Sequence, residues 1–325
     1  MLFDSPKSRG NESTMIEFSY KVCAVIFGTD ETLLSISLNN GFMFVKRSLH
    51  PKDCLDKNFE LSDFGLRREY ETARINNDTL DVICIEKQTV YSFYSYIEAE
   101  NFFSQQVETD LVELDNQIRA IRLIKECALR CKAISFRLKS INSENPSEFC
   151  LIHPVSESWG CPEISVFHCD DNEVSLINSQ VKSISFPFTS EILNVAHRYY
   201  DLSYLVENYI ALTLLIVALE MVFLNNETAK KQRLAKRCAM LMSDEKTEQN
   251  NCFSLIIDAY EQRSDFVHEG IFTGIEDAMI LSLRNCVRKV LLSEHTGYFD
   301  KKPFISHLRA KVSTAESTDP DYFGG

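Results

Sequence analysis

Between Leu205 and Leu224 the chain is apolar almost without a break. Its densest part, Tyr209 to Leu219, runs eleven residues before Glu220 interrupts it. A membrane span needs about twenty such residues, so this length predicts a fully buried central helix, apolar on all sides because protein covers it. Asn225-Asn226 ends the run. A helix is predicted over Thr228–Met242, then a polar, acidic loop over Ser243–Asn251. The next helix ends at Gly270, and a final long one covers Ile275–Leu292. On the N-terminal side, Thr189 or Ser190 is placed to cap a helix through Tyr204. Four or five helices of this length form a bundle, assigned to 189–312, with 313–325 as a tail.

Before Thr189 the pattern is that of strands. Ile16–Phe27, Leu33–Leu38 and Phe42–Arg47 read as strands, with Asn39-Asn40-Gly41 as a hairpin turn that needs positive φ. Leu80–Glu86 and Thr89–Tyr96 alternate as a second strand pair, and 48–79 is polar and irregular. Val107, Leu111, Leu114, Ile118 and Ile121 recur at helical spacing. Further strands are expected at Cys131–Leu138, Phe149–Val155, Glu163–Phe167 and Val174–Ile177. Trp159, beside Gly160 and Pro162, reads as a loop anchor packed on the sheet rather than a base-stacking group. The fold class is therefore α+β: a flexible leader over 1–14, a β-rich domain over 15–188, then the helical bundle.

A net charge of −13 argues against indiscriminate nucleic-acid binding by the whole surface. It leaves room for a local basic groove. Arg119, Arg122, Lys125, Arg130, Lys132, Arg137 and Lys139 set seven cations against one anion, Glu126, and form the first candidate for a phosphate-tracking surface. Lys230, Lys231, Arg233, Lys236 and Arg237 form the second. The bland reading of both is a solvated helix or strand face. The eleven cysteines lack any C-x-x-C pair and suggest reduced cytosolic thiols. Neither Cys127 with Cys131 nor His153, Cys161, His168 and Cys169 has the tight paired spacing of a zinc site, so no metal and no cofactor is expected. The polar N-terminus shows no signal peptide, and the expected location is the cytoplasm, away from membranes.

The stretch with chemistry is FSLIIDAYEQRSDFVHEG, Phe253 to Gly270. Phe253, Ile256, Ile257 and Tyr260 recur at helical spacing, and Gly270 is placed to cap the helix in the left-handed conformation. Arg263 and His268 lie inside it. Histidine can take or give a proton near neutral pH, and arginine forks onto phosphate oxygens. The pair suits attack of an RNA 2′-hydroxyl on its neighbouring phosphorus, with no metal required. On an unbroken helix, five residues at about 100° each set the two roughly 140° apart. Either the helix loosens near Gly270 or a second copy faces the first. A second arginine-to-histidine match, Arg288 to His295, reads as cations on the exposed end of the last helix. Glu220 needs a partner on so apolar a helix. Arg263, a salt bridge elsewhere and a partly exposed helix end are the three ways to satisfy it.

Tyr260-x-x-Arg263-Ser264-x-x-Val267-His268-x-Gly270 resembles the signature of HEPN domains, in particular the ApeA-like branch. Ile216-Val-Ala-Leu-Glu-Met-Val-Phe223 is similar to the first-helix pattern of that branch. Leu234–Leu241 and Lys302-Pro-Phe-Ile305 follow in the expected order, so the resemblance covers roughly 190–310. Ala120-Ile-Arg-Leu-Ile-Lys125 is a weaker echo in the N-terminal half. One departure is that Glu269 stands where glycine commonly follows the family histidine. The resemblance implies a homodimeric endoribonuclease whose two motifs share one cleft. Arg263 and His268 would be catalytic, and Glu220, Tyr260, Ser264 and Asp265 supporting. It also implies RNA (tRNA among the candidates) as substrate and a toxin or antiviral setting. A further reading, compatible with this one, makes residues 16–180 a sensor for a phage-derived or other activator that switches the bundle on. The rival expectation is a non-catalytic dimerisation or partner-binding module.

Overall fold

A computed structural model describes residues 15–49, 75–76, 80–127, 129–142, 147–155, 167–270, 274–294 and 299–323. The expected leader, Trp159, Cys161, His295 and most of 48–79 lie outside the described residues. The fold is α+β, with an N-terminal antiparallel sheet followed by a helical region. Strands β1 (Ile16–Phe27), β2 (Met43–Leu49), β3 (Leu80–Phe93), β4 (Arg130–Ser140) and β5 (Glu148–Pro154) form one sheet in the order β2-β3-β1-β4-β5. The described helices are α1 (Tyr96–Ile124), α2 (Asp171–Gln180), α3 (Glu191–Leu202), α4 (Asn208–Phe223), α5 (Lys230–Met242), α6 (Lys246–Glu269), α7 (Asp277–Glu294) and α8 (Lys301–Thr318).

The chain divides into two compact units. One comprises Met1–Ile26, Asn39–Asp115 and Cys131–Val155, and the other Phe27–Leu38, Asn116–Arg130 and Ser156–Gly325. The division does not follow the expected cut at 188/189, because contacts distant in sequence tie earlier segments to the helices. Phe167 pairs with Thr29, Asn178 accepts from the Ser37 N–H at 2.7 Å, and Arg288 donates to the carbonyls of Leu123 and Ile124 at 3.0 Å. Those carbonyls belong to the last turn of α1, which has no intrahelical donors left for them. Arg288 is thus a capping side chain, not the exposed cation expected at that position.

In the first unit, alternation puts Phe18, Tyr20, Val22 and Ala24 of β1 on one buried face. Helix α1 covers this face with aromatic rings: Phe102 lies 4.4 Å from Tyr91 and 5.1 Å from Phe93, and Phe103 stacks on Phe149. One ion pair sits inside this apolar layer. The Lys87 ammonium donates to Asp110 Oδ1 at 2.7 Å, with only 1 % of the Asp110 side chain and 11 % of Lys87 exposed. Asp110→Ala strands the lysine, at an expected cost of about 3–5 kcal/mol. Urea denaturation would register this as a lower midpoint. The double variant with Lys87→Met is expected to regain most of the loss, and if it does not, the pair is not what holds this layer.

The second unit is built on α4, whose Ala211, Leu212, Leu215, Ile216, Ala218, Leu219, Val222 and Phe223 are buried. Helices α3, α5, α6, α7 and α8 all contact α4, which makes it the buried centre expected from its composition. Each large apolar side chain removed from water there contributes about 1.5–3 kcal/mol.

Several local expectations are corrected. Leu33–Leu38 is not a strand. Asp30 accepts from both the N–H and hydroxyl of Thr32, at 2.9 and 2.6 Å, and starts a 3-10 turn over Glu31–Ser35. The Asn40 and Gly41 turn has its positive φ, 55° and 79°, but no hairpin follows because β2 pairs with β3. Leu80–Glu86 and Thr89–Tyr96 are not a strand pair. Lys87 and Gln88 continue the ladder opposite Val22 and Lys21, giving one fourteen-residue strand. Val174–Ile177 is helical because Asp170 and Glu173 form a reciprocal capping box. The expected loop Ser243–Asn251 is mostly α6, where buried Gln249 donates to the Ser243 carbonyl at 2.7 Å. Residues 313–323 are no tail. Helix α8 runs to Thr318, the Tyr322 hydroxyl bonds Gln249, and Phe323 packs 5.2 Å from Phe253.

Candidate active site

Helix α6 carries the motif. Cys252, Ile256 and Ala259 are its buried face, and Phe253, Ile257 and Tyr260 flank it half-buried. The helix is continuous to Glu269, and Gly270 (φ 68°) ends it with its N–H on the Phe266 carbonyl at 3.2 Å. The left-handed cap expected of Gly270 is therefore present. The loosening that would bring Arg263 and His268 to one side is not. They stay roughly 140° apart around one helix. His268, Asp265 and Glu269 are exposed, and Arg263 and Ser264 are half-buried.

Glu220 finds a different partner from the arginine offered for it. The Tyr260 hydroxyl donates to Glu220 Oε1 at 2.9 Å, linking α6 to α4. Burial first, and then the bond to Glu220, push the Tyr260 phenol above its usual range, while the nearby Arg263 charge pulls the other way. Tyr260 is thus held as a neutral donor, not a base. The Arg263 Nε is buried without a hydrogen-bond partner, and among the described residues the guanidinium makes no ion pair. Among the described residues, then, the Arg263 Nε donates to nothing, while Tyr260 takes Glu220.

Most of the cations offered for RNA are committed elsewhere. Arg122 donates to the Leu129 carbonyl at 2.8 Å and lies over the Tyr204 ring, so it closes the turn after α1. Arg119 pairs with Asp201 at 3.1 Å, Lys125 with Glu173 at 2.6 Å and Arg137 with Glu148 at 2.6 Å. In the second cluster, Glu227 gathers Arg233 at 2.7 Å, Arg237 at 2.9 Å and Arg309 at 2.9 Å. Hydrogen bonds led by the one from Arg237 hold the Glu227 carboxyl well below the usual carboxylate range. Arg237 is buried and cannot track phosphates. Lys231 pairs with Glu261 at 2.5 Å. Arg130 and Lys230 are exposed, and the Lys132 side chain lies outside the described residues. The acidic composition is the physical reason: with carboxylates in excess, cations find partners within the fold.

Cys127 is buried, and His168 Nδ1 lies 2.6 Å from Asp30 Oδ2; the hydrogen bond from the Thr32 hydroxyl first, and then this contact, hold the Asp30 carboxyl down at about 2. A group that spacing did not reveal is Cys23, Cys84 and Glu86, brought together only by strand register. Among the described residues no helix is long and apolar enough to cross a membrane. No protein-family model matches the chain, and no curated protein and no solved structure matches it.

Proposed function

We propose that this protein is a HEPN-type, metal-independent endoribonuclease that works as a homodimer. The observation that carries the reading is that, among the described residues, the buried Nε of Arg263 has no hydrogen-bond partner, on a helix that ends, one turn later, with exposed His268. Because the two diverge around the helix, a cleft holding both takes them from two copies of α6. There, one His268 removes the 2′-hydroxyl proton as the 2′-oxygen bonds to phosphorus. The other gives a proton to the departing 5′-oxygen, and both Arg263 side chains hold the charge growing on the phosphoryl oxygens. The products are a 2′,3′-cyclic phosphate and a 5′-hydroxyl. Substrates of the tRNA class, a toxin or antiviral role and a gating activator belong to the same proposal.

The test is cleavage of total cellular RNA and of tRNA, with EDTA present, by wild type and by Arg263→Ala/His268→Ala. Cleavage by wild type alone, leaving cyclic-phosphate ends, is the expected outcome. Equal cleavage by both proteins overturns the site. The internal pairing of most of the candidate RNA-binding cations favours a second reading, a non-catalytic partner-binding module. Silence from both proteins, in solution and in phage-challenged cells, would establish that reading instead.

A further inference from the structure

The geometry points to a binding site for one thiophilic divalent cation of the zinc class, formed by Cys23, Cys84 and Glu86 in the first unit. Antiparallel register sets Cys23 opposite Glu86 and Val25 opposite Cys84. Cys84 and Glu86 are two apart on β3, so all three side chains leave the same side of the sheet. Their ligand atoms lie within 4.8 Å of one another, and all three residues are buried.

The distances suit a tetrahedral ion. Metal–sulfur and metal–oxygen bonds of about 2.3 and 2.0 Å set a thiolate and a carboxylate oxygen about 3.5 Å apart. Cys23 Sγ is 3.9 Å from Glu86 Oε1, a few tenths from that value. The two cysteines are diagonal neighbours rather than direct partners, a relation that spaces backbones by about 7–8 Å. That exceeds the usual reach of a disulfide, whereas a bridging metal ion fits it.

Charge decides the class of ion. Two thiolates and a carboxylate bring three negative charges into a buried site, where an unbalanced set is costly. Arg47 supplies one positive charge, its Nε and Nη2 donating to the two Glu86 oxygens at 3.0 and 2.6 Å. A divalent cation supplies the other two. Arg47 also orients the ligating carboxylate, as outer partners of metal ligands commonly do. Sulfur donors select zinc-like ions over magnesium or calcium. The site is independent of the ribonuclease reading.

Cobalt(II) titrated into the reduced, metal-free full chain tests this. One equivalent is expected to produce thiolate-to-cobalt charge-transfer absorption and tetrahedral visible bands, which zinc then displaces. Cys84→Ser is expected to abolish the bands, and Cys150→Ser, on the exposed thiol of β5, to leave them. Should Cys84→Ser fail to fold, Glu86→Gln is read instead, with binding at least about tenfold weaker. No thiolate band at one equivalent overturns the site, as does a band that survives Cys84→Ser or an affinity unchanged in Glu86→Gln.

Discussion

Arg263→Ala is expected to lower RNA cleavage by about a hundred- to a thousandfold while the fold stays intact. The magnitude is that of removing one preorganised donor from a charge-stabilising site. The fold is expected to survive because the Arg263 Nε has no hydrogen-bond partner to lose. Arg263→Lys keeps the charge but not the planar fork, so it is expected to restore only part of the rate. Tyr260→Phe supplies the contrast. It removes the donor on Glu220 at 2.9 Å, and the expected effect falls first on stability, by about 1 kcal/mol. Single-turnover cleavage and thermal denaturation of the three variants make the comparison. If Arg263→Ala cleaves at the wild-type rate, phosphate is held by other residues and the proposed cleft is wrong.

Arg284→Ala is expected to destabilise the second unit by about 3–5 kcal/mol, the cost of stranding a buried partner. Arg284 is 1 % exposed and joins three segments. Its Nη2 donates to the Ser203 carbonyl at 2.7 Å, its Nε to the Ser203 hydroxyl at 3.1 Å, and its guanidinium lies 3.9 Å over the Tyr204 ring. Its Nη1 is 3.5 Å from Glu126. Burial raises the Glu126 carboxyl, with Arg284 and then Arg288 opposing that shift. Without Arg284 the carboxyl rises further. A raised carboxyl binds more protons folded than unfolded, so acid favours the folded state and rising pH penalises it. The deficit of the variant is therefore expected to be largest near neutrality and to shrink as pH falls from about 7 to about 5. Urea titrations at both pH values would show it. A deficit independent of pH would mean that Glu126 does not depend on Arg284.

The arginine network also shows where sequence reading stops. Arg284 and Arg237 are charged residues in helices, and helical periodicity assigns such residues to solvent. Both are buried. What buries Arg284 is Ser203 and Tyr204, some eighty residues earlier, and no local pattern encodes that pairing. The reassigned helix α2 is a different case. Its capping box, Asp170 with Glu173, is a local signal legible in the sequence, and Val174 and Ile177, three apart, stand at helical spacing. The polar start of α6 is similar, since Gln249 is paid for by hydrogen bonds to Ser243 and Tyr322 that form only when the chain folds.

By itself the sequence determined the α+β class, the buried α4 at the bundle centre, the span of β1 and the left-handed cap at Gly270. Each follows from interactions within a few residues, or from apolar content too high to leave in water. Tertiary structure decided which of the candidate cations are paired within the fold, that Tyr260 bonds Glu220, and that Cys23 meets Cys84 and Glu86. Those outcomes depend on strand register and helix packing, which bring together side chains tens of residues apart and let each charge take the nearest partner the fold provides.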